Sequence, residues 1–172
     1  MTTLILGGVR SGKSRLAERL AVDSGLAVTC IATATAEDAA MRARIAAHRA
    51  RRPATWNVIE EPLALAAALR AQAGGRCIIV DCLTLWLTNL LLCDDPDALA
   101  RERAALLEIL PALEGNIVLV GNETNMGVMP TGDLARRYCD EAGCLHQDLA
   151  RICDRVILTV AGLPHYLKGG PP

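Results

Sequence analysis

One stretch of sequence decides the fold of this 172-residue chain: Leu4-Ile5-Leu6-Gly7-Gly8-Val9-Arg10-Ser11-Gly12-Lys13-Ser14. An apolar run precedes the spacing G-x-x-x-x-G-K-S, and residues with helical spacing follow it. Glycines at these positions let the backbone curl, so that successive N–H groups point at phosphate oxygens, and the start of a helix adds positive potential. The stretch therefore predicts a P-loop between a strand and a helix, which binds a nucleoside triphosphate.

Two side chains of this motif and one later carboxylate predict a site for Mg²⁺ and phosphate. Lys13 can reach the β- and γ-phosphates, and the Ser14 hydroxyl can ligate Mg²⁺. The apolar run Cys77–Val80 ends in Asp81, which suits the carboxylate that a P-loop enzyme places on the other side of the metal. A solvated aspartate at a strand end is the alternative interpretation of Asp81.

Composition restricts the partners and the compartment. The chain carries net charge −1, is 52% hydrophobic and contains no Phe, two Trp and two Tyr. Because it lacks both a basic field and aromatic residues for base stacking, we expect no nucleic acid partner. Seven cysteines without a C-x-x-C pair favour reduced thiols in the cytoplasm. The longest apolar stretch, Leu83–Cys93, is interrupted by polar residues and too short to span a bilayer, so we expect no membrane insertion.

Apolar runs typical of buried strands alternate with segments of helical period, which predicts an α/β fold. Continuous apolar strands indicate a mostly parallel sheet with helices on both faces, and ligands then bind at the carboxyl ends of the strands. We expect one domain over residues 1–168, with an edge strand at Tyr166–Lys168, and a flexible tail at residues 169–172. The predicted strands are Leu4–Leu6, Val28–Ala32, Cys77–Val80, Ile117–Val120 and Val156–Val160, and the predicted helices are Ala39–Ala50, Leu63–Ala73, Ala98–Leu113 and Leu134–Ile152.

An arginine-rich helix, predicted to end before Pro53, carries His48 among Arg49, Arg51 and Arg52. Guanidinium groups match phosphate oxygens in a two-point geometry, which favours a phosphate clamp; a solvated basic helix face is the alternative. Neighbouring cations would keep the imidazole of His48 unprotonated, and a neutral imidazole is a good nucleophile toward phosphorus. An exposed helical histidine without a chemical role is the other interpretation.

Polar residues, beginning with Asn122 and Glu123, follow the strand predicted at Ile117–Val120. Their order departs from the N-K-x-D motif that reads guanine in switch GTPases, and Asp81 is not followed by D-x-x-G. Both differences argue against a regulatory switch. Asn122 and Glu123 are then either turn residues at a strand end or contacts to a second substrate.

Taken in order, these motifs resemble the family of bifunctional adenosylcobinamide kinases/adenosylcobinamide-phosphate guanylyltransferases of cobalamin biosynthesis. The resemblance covers about Leu4 to Lys168, and it implies a RecA-like P-loop NTPase fold and a homotrimer. The chain departs from the family pattern at Val9, at Gly121, at Thr124-Asn125 and at His146. The matching motifs are the P-loop, Ile31–Ala34, the segment from Arg44 through His48 to Pro53 and Trp56, Val80–Leu91, and Asn122-Glu123 with Gly127 and Pro130.

The resemblance implies two reactions at one nucleotide site. ATP or GTP phosphorylates adenosylcobinamide, and GMP then passes from GTP, through a GMP–histidine intermediate at His48, to adenosylcobinamide phosphate with release of pyrophosphate. Lys13 stabilises phosphates in both reactions, and Ser14 and Asp81 hold Mg²⁺. A simple P-loop small-molecule kinase is the alternative function. The implied nucleotide contacts are Gly7, Gly8, Val9, Arg10, Ser11, Gly12, Lys13, Ser14, Ala32, Thr33, Ala34, Arg49, Ala50, Arg51, Arg52, Glu60 in preference to Glu61, and Asp81.

Overall fold

Seven strands form one sheet in the computed structural model, which describes residues 1–35, 39, 42, 43, 46, 50 and 52–171. The strands are β1 (Thr2–Gly7), β2 (Val28–Ala32), β3 (Asn57–Glu60), β4 (Cys77–Asp81), β5 (Asn116–Asn122), β6 (Arg155–Val160) and β7 (Leu163–Lys168). Their order across the sheet is β3-β2-β4-β5-β1-β6-β7. All neighbouring pairs are parallel except β6 with β7, so the carboxyl ends of β1 to β6 meet at one edge.

Helices cover both faces of this sheet. Because successive strand residues point to opposite faces, each inner strand contributes side chains to two apolar clusters. Leu4 and Ile78 belong to the larger apolar cluster, which includes the buried Trp86, whereas Ile5 and Ile79 pack with the helix that follows the P-loop. That helix is α1 (Lys13–Asp23); the larger cluster is completed by α2 (Leu65–Gln72), α3 (Leu83–Leu92), α4 (Ala98–Ile109) with a 3₁₀ turn at Leu110–Ala112, and α5 (Asp133–Ile152).

The prediction of a P-loop α/β fold with a mostly parallel sheet is confirmed. The sequence pattern predicted neither β3 nor α3, and the predicted edge strand, Tyr166–Lys168, is longer in the structure because β7 already begins at Leu163. Of the helix predicted at Ala39–Ala50, the described residues 39, 42, 43, 46 and 50 are helical, and the others lie outside the described residues. The division into a domain over 1–168 and a tail over 169–172 stays a prediction. No helix in the described ranges is long and apolar enough to cross a membrane.

Candidate active site

The P-loop connects Gly7, the last residue of β1, to Lys13, the first residue of α1. Its turn is closed by the Ser11 N–H, which donates to the Gly8 carbonyl over 3.2 Å. Gly12 is the N-cap of α1, and no side chain caps this helix start with a hydrogen bond. The first N–H groups of α1 are therefore left to bind an anion such as a phosphate.

Glycine is required at two points of this loop. Gly7 has φ +154°, and a Cβ there would lie 2.4 Å from the Thr159 carbonyl oxygen of β6. Gly12 has φ +100°, and a Cβ there would lie 3.1 Å from the Gly162 Cα. The spacing of the motif thus reflects close backbone contacts with the neighbouring strand and turn as well as the turn itself.

The loop is hydrogen-bonded to chain segments on both of its sides. The Glu123 N–H, just beyond β5, donates to the Gly7 carbonyl over 3.0 Å. The Gly162 N–H, in the β6–β7 turn, donates to the Ser11 carbonyl over 2.9 Å. These two bonds fix the loop backbone between β5 and β6.

Lys13 directs its ammonium group into the loop. Its Nζ donates to the Gly8 carbonyl over 2.6 Å, and the residue is 8% exposed. A buried cation beside several backbone N–H groups is suited to hold the β- and γ-phosphates of a nucleotide.

Asp81 ends β4 and forms an ion pair with Arg52. The distance from Arg52 Nη2 to Asp81 Oδ2 is 2.7 Å, and the two side chains are 7% and 15% exposed. Arg52 closes the arginine-rich segment, so this pair joins that segment to the strand end predicted to bind Mg²⁺. The two residues are separated by 29 positions, and no sequence pattern predicted their contact.

Two other residues predicted to contact the nucleotide, Ala32 and Glu60, lie beside Asp81 at the ends of neighbouring strands. In the strand register Ala32 pairs with Asp81 on one side and with Glu60 on the other. Glu60 is exposed at the end of β3. Glu61 accepts hydrogen bonds from the backbone N–H groups of Leu63 and Ala64, and nucleotide contact at Glu60 stays a prediction.

Thr33 is fully buried, and its hydroxyl holds the residue that follows Asp81. It accepts from the Cys82 N–H over 2.9 Å and donates to the Cys82 carbonyl over 2.7 Å. Asn89 of α3 donates to the Thr33 carbonyl over 2.8 Å. The hydroxyl of Thr33 thus supports the Asp81 strand end, and nucleotide contact at Thr33 stays a prediction. Sequence reasoning gave no role to Asn89, although an amide within the apolar run Leu83–Leu92 was a usable signal.

Glu123 and His146 lie together at the end of β5, on the P-loop side. Glu123 Oε2 is 3.8 Å from His146 Nδ1, and Oε1 accepts from the Asn125 N–H over 2.7 Å. Burial lowers the pKa of His146, and the Glu123 carboxylate opposes that shift only in part. The imidazole is therefore neutral near pH 7.

The remaining predicted residues are placed only in part. Val9 and Arg10 are exposed on the P-loop, and Arg10 has φ 58°. Ala50 is exposed. The predicted nucleophile and two of the predicted arginines lie outside the described residues: His48, Arg49 and Arg51.

The donor set fits Mg²⁺ better than a transition metal. The Ser14 hydroxyl, at the start of α1, and the Asp81 carboxylate, at the end of β4, are hard oxygen ligands. Within the part of the chain that the structure describes, no three His, Cys, Asp or Glu side chains converge on one point. Mg²⁺ commonly uses one or two protein ligands together with phosphate oxygens and water, so two donors suffice.

Comparison with known proteins identifies the family. The model of cobinamide kinase / cobinamide phosphate guanyltransferase matches residues 3–167. The bifunctional adenosylcobalamin biosynthesis protein CobP of Pseudomonas aeruginosa is 68% identical over 172 residues, with 99% of each chain covered. CobU of Escherichia coli K12, which carries the same description, is 37% identical, with 98% of this chain and 100% of that protein covered.

A solved structure from Pyrococcus horikoshii OT3 has a TM-score of 0.58 at 10% identity, with 99% of this chain and 87% of that chain covered, which bears on the fold alone. With the P-loop, the buried lysine and the Asp81 strand end in place, the match over nearly the whole chain decides between the two functions considered. The chain belongs to the cobinamide kinase / cobinamide phosphate guanyltransferase family and is a bifunctional enzyme of cobalamin biosynthesis rather than a simple P-loop kinase.

Proposed function

We propose that one phosphate cradle, built by the P-loop and Lys13, serves both reactions, and that His48 carries GMP between them. The observation that carries this proposal is the Arg52–Asp81 ion pair. The pair places Arg52 at the edge of the sheet predicted to hold the nucleotide, and His48 precedes Arg52 by only four residues in the sequence. Arg49 and Arg51 add cations for phosphate oxygens on the same segment.

In the kinase reaction, a hydroxyl of adenosylcobinamide attacks the γ-phosphorus of ATP or GTP, and the nucleoside diphosphate leaves. The Lys13 ammonium and the P-loop N–H groups stabilise negative charge on the transferred group and on the leaving diphosphate. The chain contributes chiefly position and charge, which is the usual contribution of a protein to phosphoryl transfer.

In the guanylyl reaction, a ring nitrogen of His48 attacks the α-phosphorus of GTP. The bond from the α-phosphorus to the bridging oxygen breaks, and pyrophosphate leaves within the same cradle. A phosphate oxygen of adenosylcobinamide phosphate then attacks the phosphorus of the GMP group, and the P–N bond to His48 breaks. This gives adenosylcobinamide-GDP and restores His48.

Ser14 and Asp81 are the residues that would hold Mg²⁺. When bound, the ion neutralises charge on the nucleotide phosphates. Because Arg52 already contacts Asp81, the metal ion would either bind the carboxylate together with the guanidinium or displace the guanidinium from it. The family membership supports corrinoid substrates. The resemblance alone supports a homotrimer. The seven free cysteines support localisation in the cytoplasm.

Labelling with GTP tests the covalent intermediate. Wild-type protein incubated with Mg²⁺ and α-labelled GTP should retain label that survives alkali and is lost in mild acid, because a P–N bond is acid-labile; γ-labelled GTP should leave none. The H48A variant should lose labelling and guanylyl transfer while it still phosphorylates adenosylcobinamide, since only the nucleophile is removed.

A matched control is H165A, which removes an exposed histidine of β7. This variant should label like the wild type. Persistent labelling of H48A would move the nucleophile to another residue, His146 first, and a wild type that never labels would refute the covalent mechanism.

A further inference from the structure

Glu123 lies at the middle of the edge of the sheet where the strands end, and the mechanism above gives its side chain no role. It follows directly after β5, which lies between β4 with Asp81 and β1 with the P-loop. In the strand register Asp81 pairs with Val120, and Gly7 pairs with Asn122. The bond from the Glu123 N–H to the Gly7 carbonyl places this residue at the first residue of the P-loop, on the side of Asp81.

The Glu123 carboxylate is oriented and reachable. The Asn125 N–H holds Oε1 at 2.7 Å, while the 3.8 Å from Oε2 to His146 Nδ1 exceeds a hydrogen bond. The side chain is 15% exposed, so a substrate group at this edge can approach it. His146 and Tyr138 are titratable neighbours of this carboxylate; burial lowers the pKa of His146 and raises the pKa of Tyr138 to about 12. Both groups are therefore uncharged near pH 7, and neither neutralises the carboxylate.

We propose that Glu123 is the general base of the kinase reaction and takes the proton of the adenosylcobinamide hydroxyl. The inference rests on the proposed function and names a residue for one of its steps. The O–H bond of the substrate breaks and its proton moves to a carboxylate oxygen of Glu123. The hydroxyl oxygen bonds to the γ-phosphorus, and the bond to the bridging oxygen of the nucleoside diphosphate breaks. The proton then passes to solvent.

The two reactions differ in their need for this base. The kinase nucleophile is an alcohol, which keeps its proton near pH 7 and gains from a carboxylate that accepts it as the new bond forms. The transferase nucleophile is a phosphate monoester, whose second ionisation lies near pH 6, so its oxygens are already anionic. Removal of the base should therefore slow one reaction and spare the other.

The test compares E123Q with the wild type in both half-reactions. Glutamine keeps the shape and an oxygen for the Asn125 N–H but cannot accept the proton. We expect kcat for phosphorylation of adenosylcobinamide to fall by about 10²- to 10⁴-fold, the usual contribution of a general base. Labelling by α-labelled GTP and GMP transfer to supplied adenosylcobinamide phosphate should stay within about threefold, which also shows that the variant is folded.

Two further variants complete the design. E123D keeps a carboxylate on a shorter side chain and should retain more kinase activity than E123Q. E114Q removes an exposed carboxylate just before β5, at the opposite end of that strand, and should change neither reaction.

Several results would overturn the assignment: E123Q with kinase kcat within about threefold of wild type, an equal loss of both reactions, or E123D no better than E123Q. Wild-type labelling in the same assay reports on the proposed function, whereas the ratio of kinase to transferase rates in E123Q reports on Glu123. The two failures are thus distinguishable.

Discussion

Replacement of Asp81 by Asn should destabilise the protein even in the absence of nucleotide and metal. The sequence alone predicts that Asp81 is a metal ligand, and on that prediction its neutralisation would leave the melting temperature of the unliganded protein nearly unchanged. The ion pair with Arg52 reverses that expectation, because the guanidinium is 7% exposed and would be left beside a neutral amide. Removing one partner of a buried ion pair costs about 3–5 kcal/mol, and since Asp81 is 15% exposed we expect the lower end.

A loss of about 3 kcal/mol corresponds to a fall in Tm of about 6–12 °C for a domain of this size. The assay is denaturant unfolding of the wild type, D81N, R52Q and the double variant, all without nucleotide or Mg²⁺. The cycle should give a coupling free energy of about 2 kcal/mol between the two side chains, since they are in direct contact. A coupling below about 0.5 kcal/mol would refute the reasoning, because that is the scatter expected for independent sites.

Two other substitutions test the P-loop itself. K13A should reduce both phosphorylation and guanylyl transfer by about 10²-fold or more, because the same ammonium stabilises phosphates in each reaction. K168A, which removes a lysine at the end of β7, is the control. A K13A variant that keeps either activity would contradict a shared site. G7A should lower the free energy of unfolding by about 1–3 kcal/mol or more, since its Cβ would lie 2.4 Å from the Thr159 carbonyl oxygen. The control is G8A, whose Cβ meets nothing within 4 Å, and it should melt near the wild type in the same thermal scan.

The sequence predicted the elements with a clear period or motif and missed those without one. β3 is a short strand at the sheet edge, with three exposed residues of four, so it lacks the apolar run by which buried strands are recognised. α3 is apolar on nearly every side, so its sequence shows an interrupted apolar stretch without a clear helical period. β7 contains Pro164, which breaks a strand pattern but is tolerated at a sheet edge.

The site likewise has features that the sequence predicted and contacts that it did not. The P-loop follows from local spacing, because its geometry depends on consecutive backbone groups. Contacts between distant positions, such as Arg52 with Asp81 and Thr33 with Cys82, depend on which strands become neighbours, and nothing in a single sequence specifies that pairing. At Thr33 the family resemblance indicates a nucleotide contact, which stays a prediction, whereas the hydrogen bonds of its hydroxyl with the Cys82 backbone are visible only in the fold.

The two hydrogen bonds that fasten the P-loop, from Glu123 to Gly7 and from Gly162 to Ser11, have a consequence for selectivity. Ordering a backbone costs about 1–2 kcal/mol per residue, and a loop fixed during folding does not lose that entropy again when a nucleotide arrives. Such a rigid cradle holds a chain of phosphates in one way, whichever phosphorus is about to react. Whether the γ-phosphoryl or the guanylyl group is transferred then depends on which nucleophile reaches the bound nucleotide, so the same P-loop conformation can serve both reactions in turn.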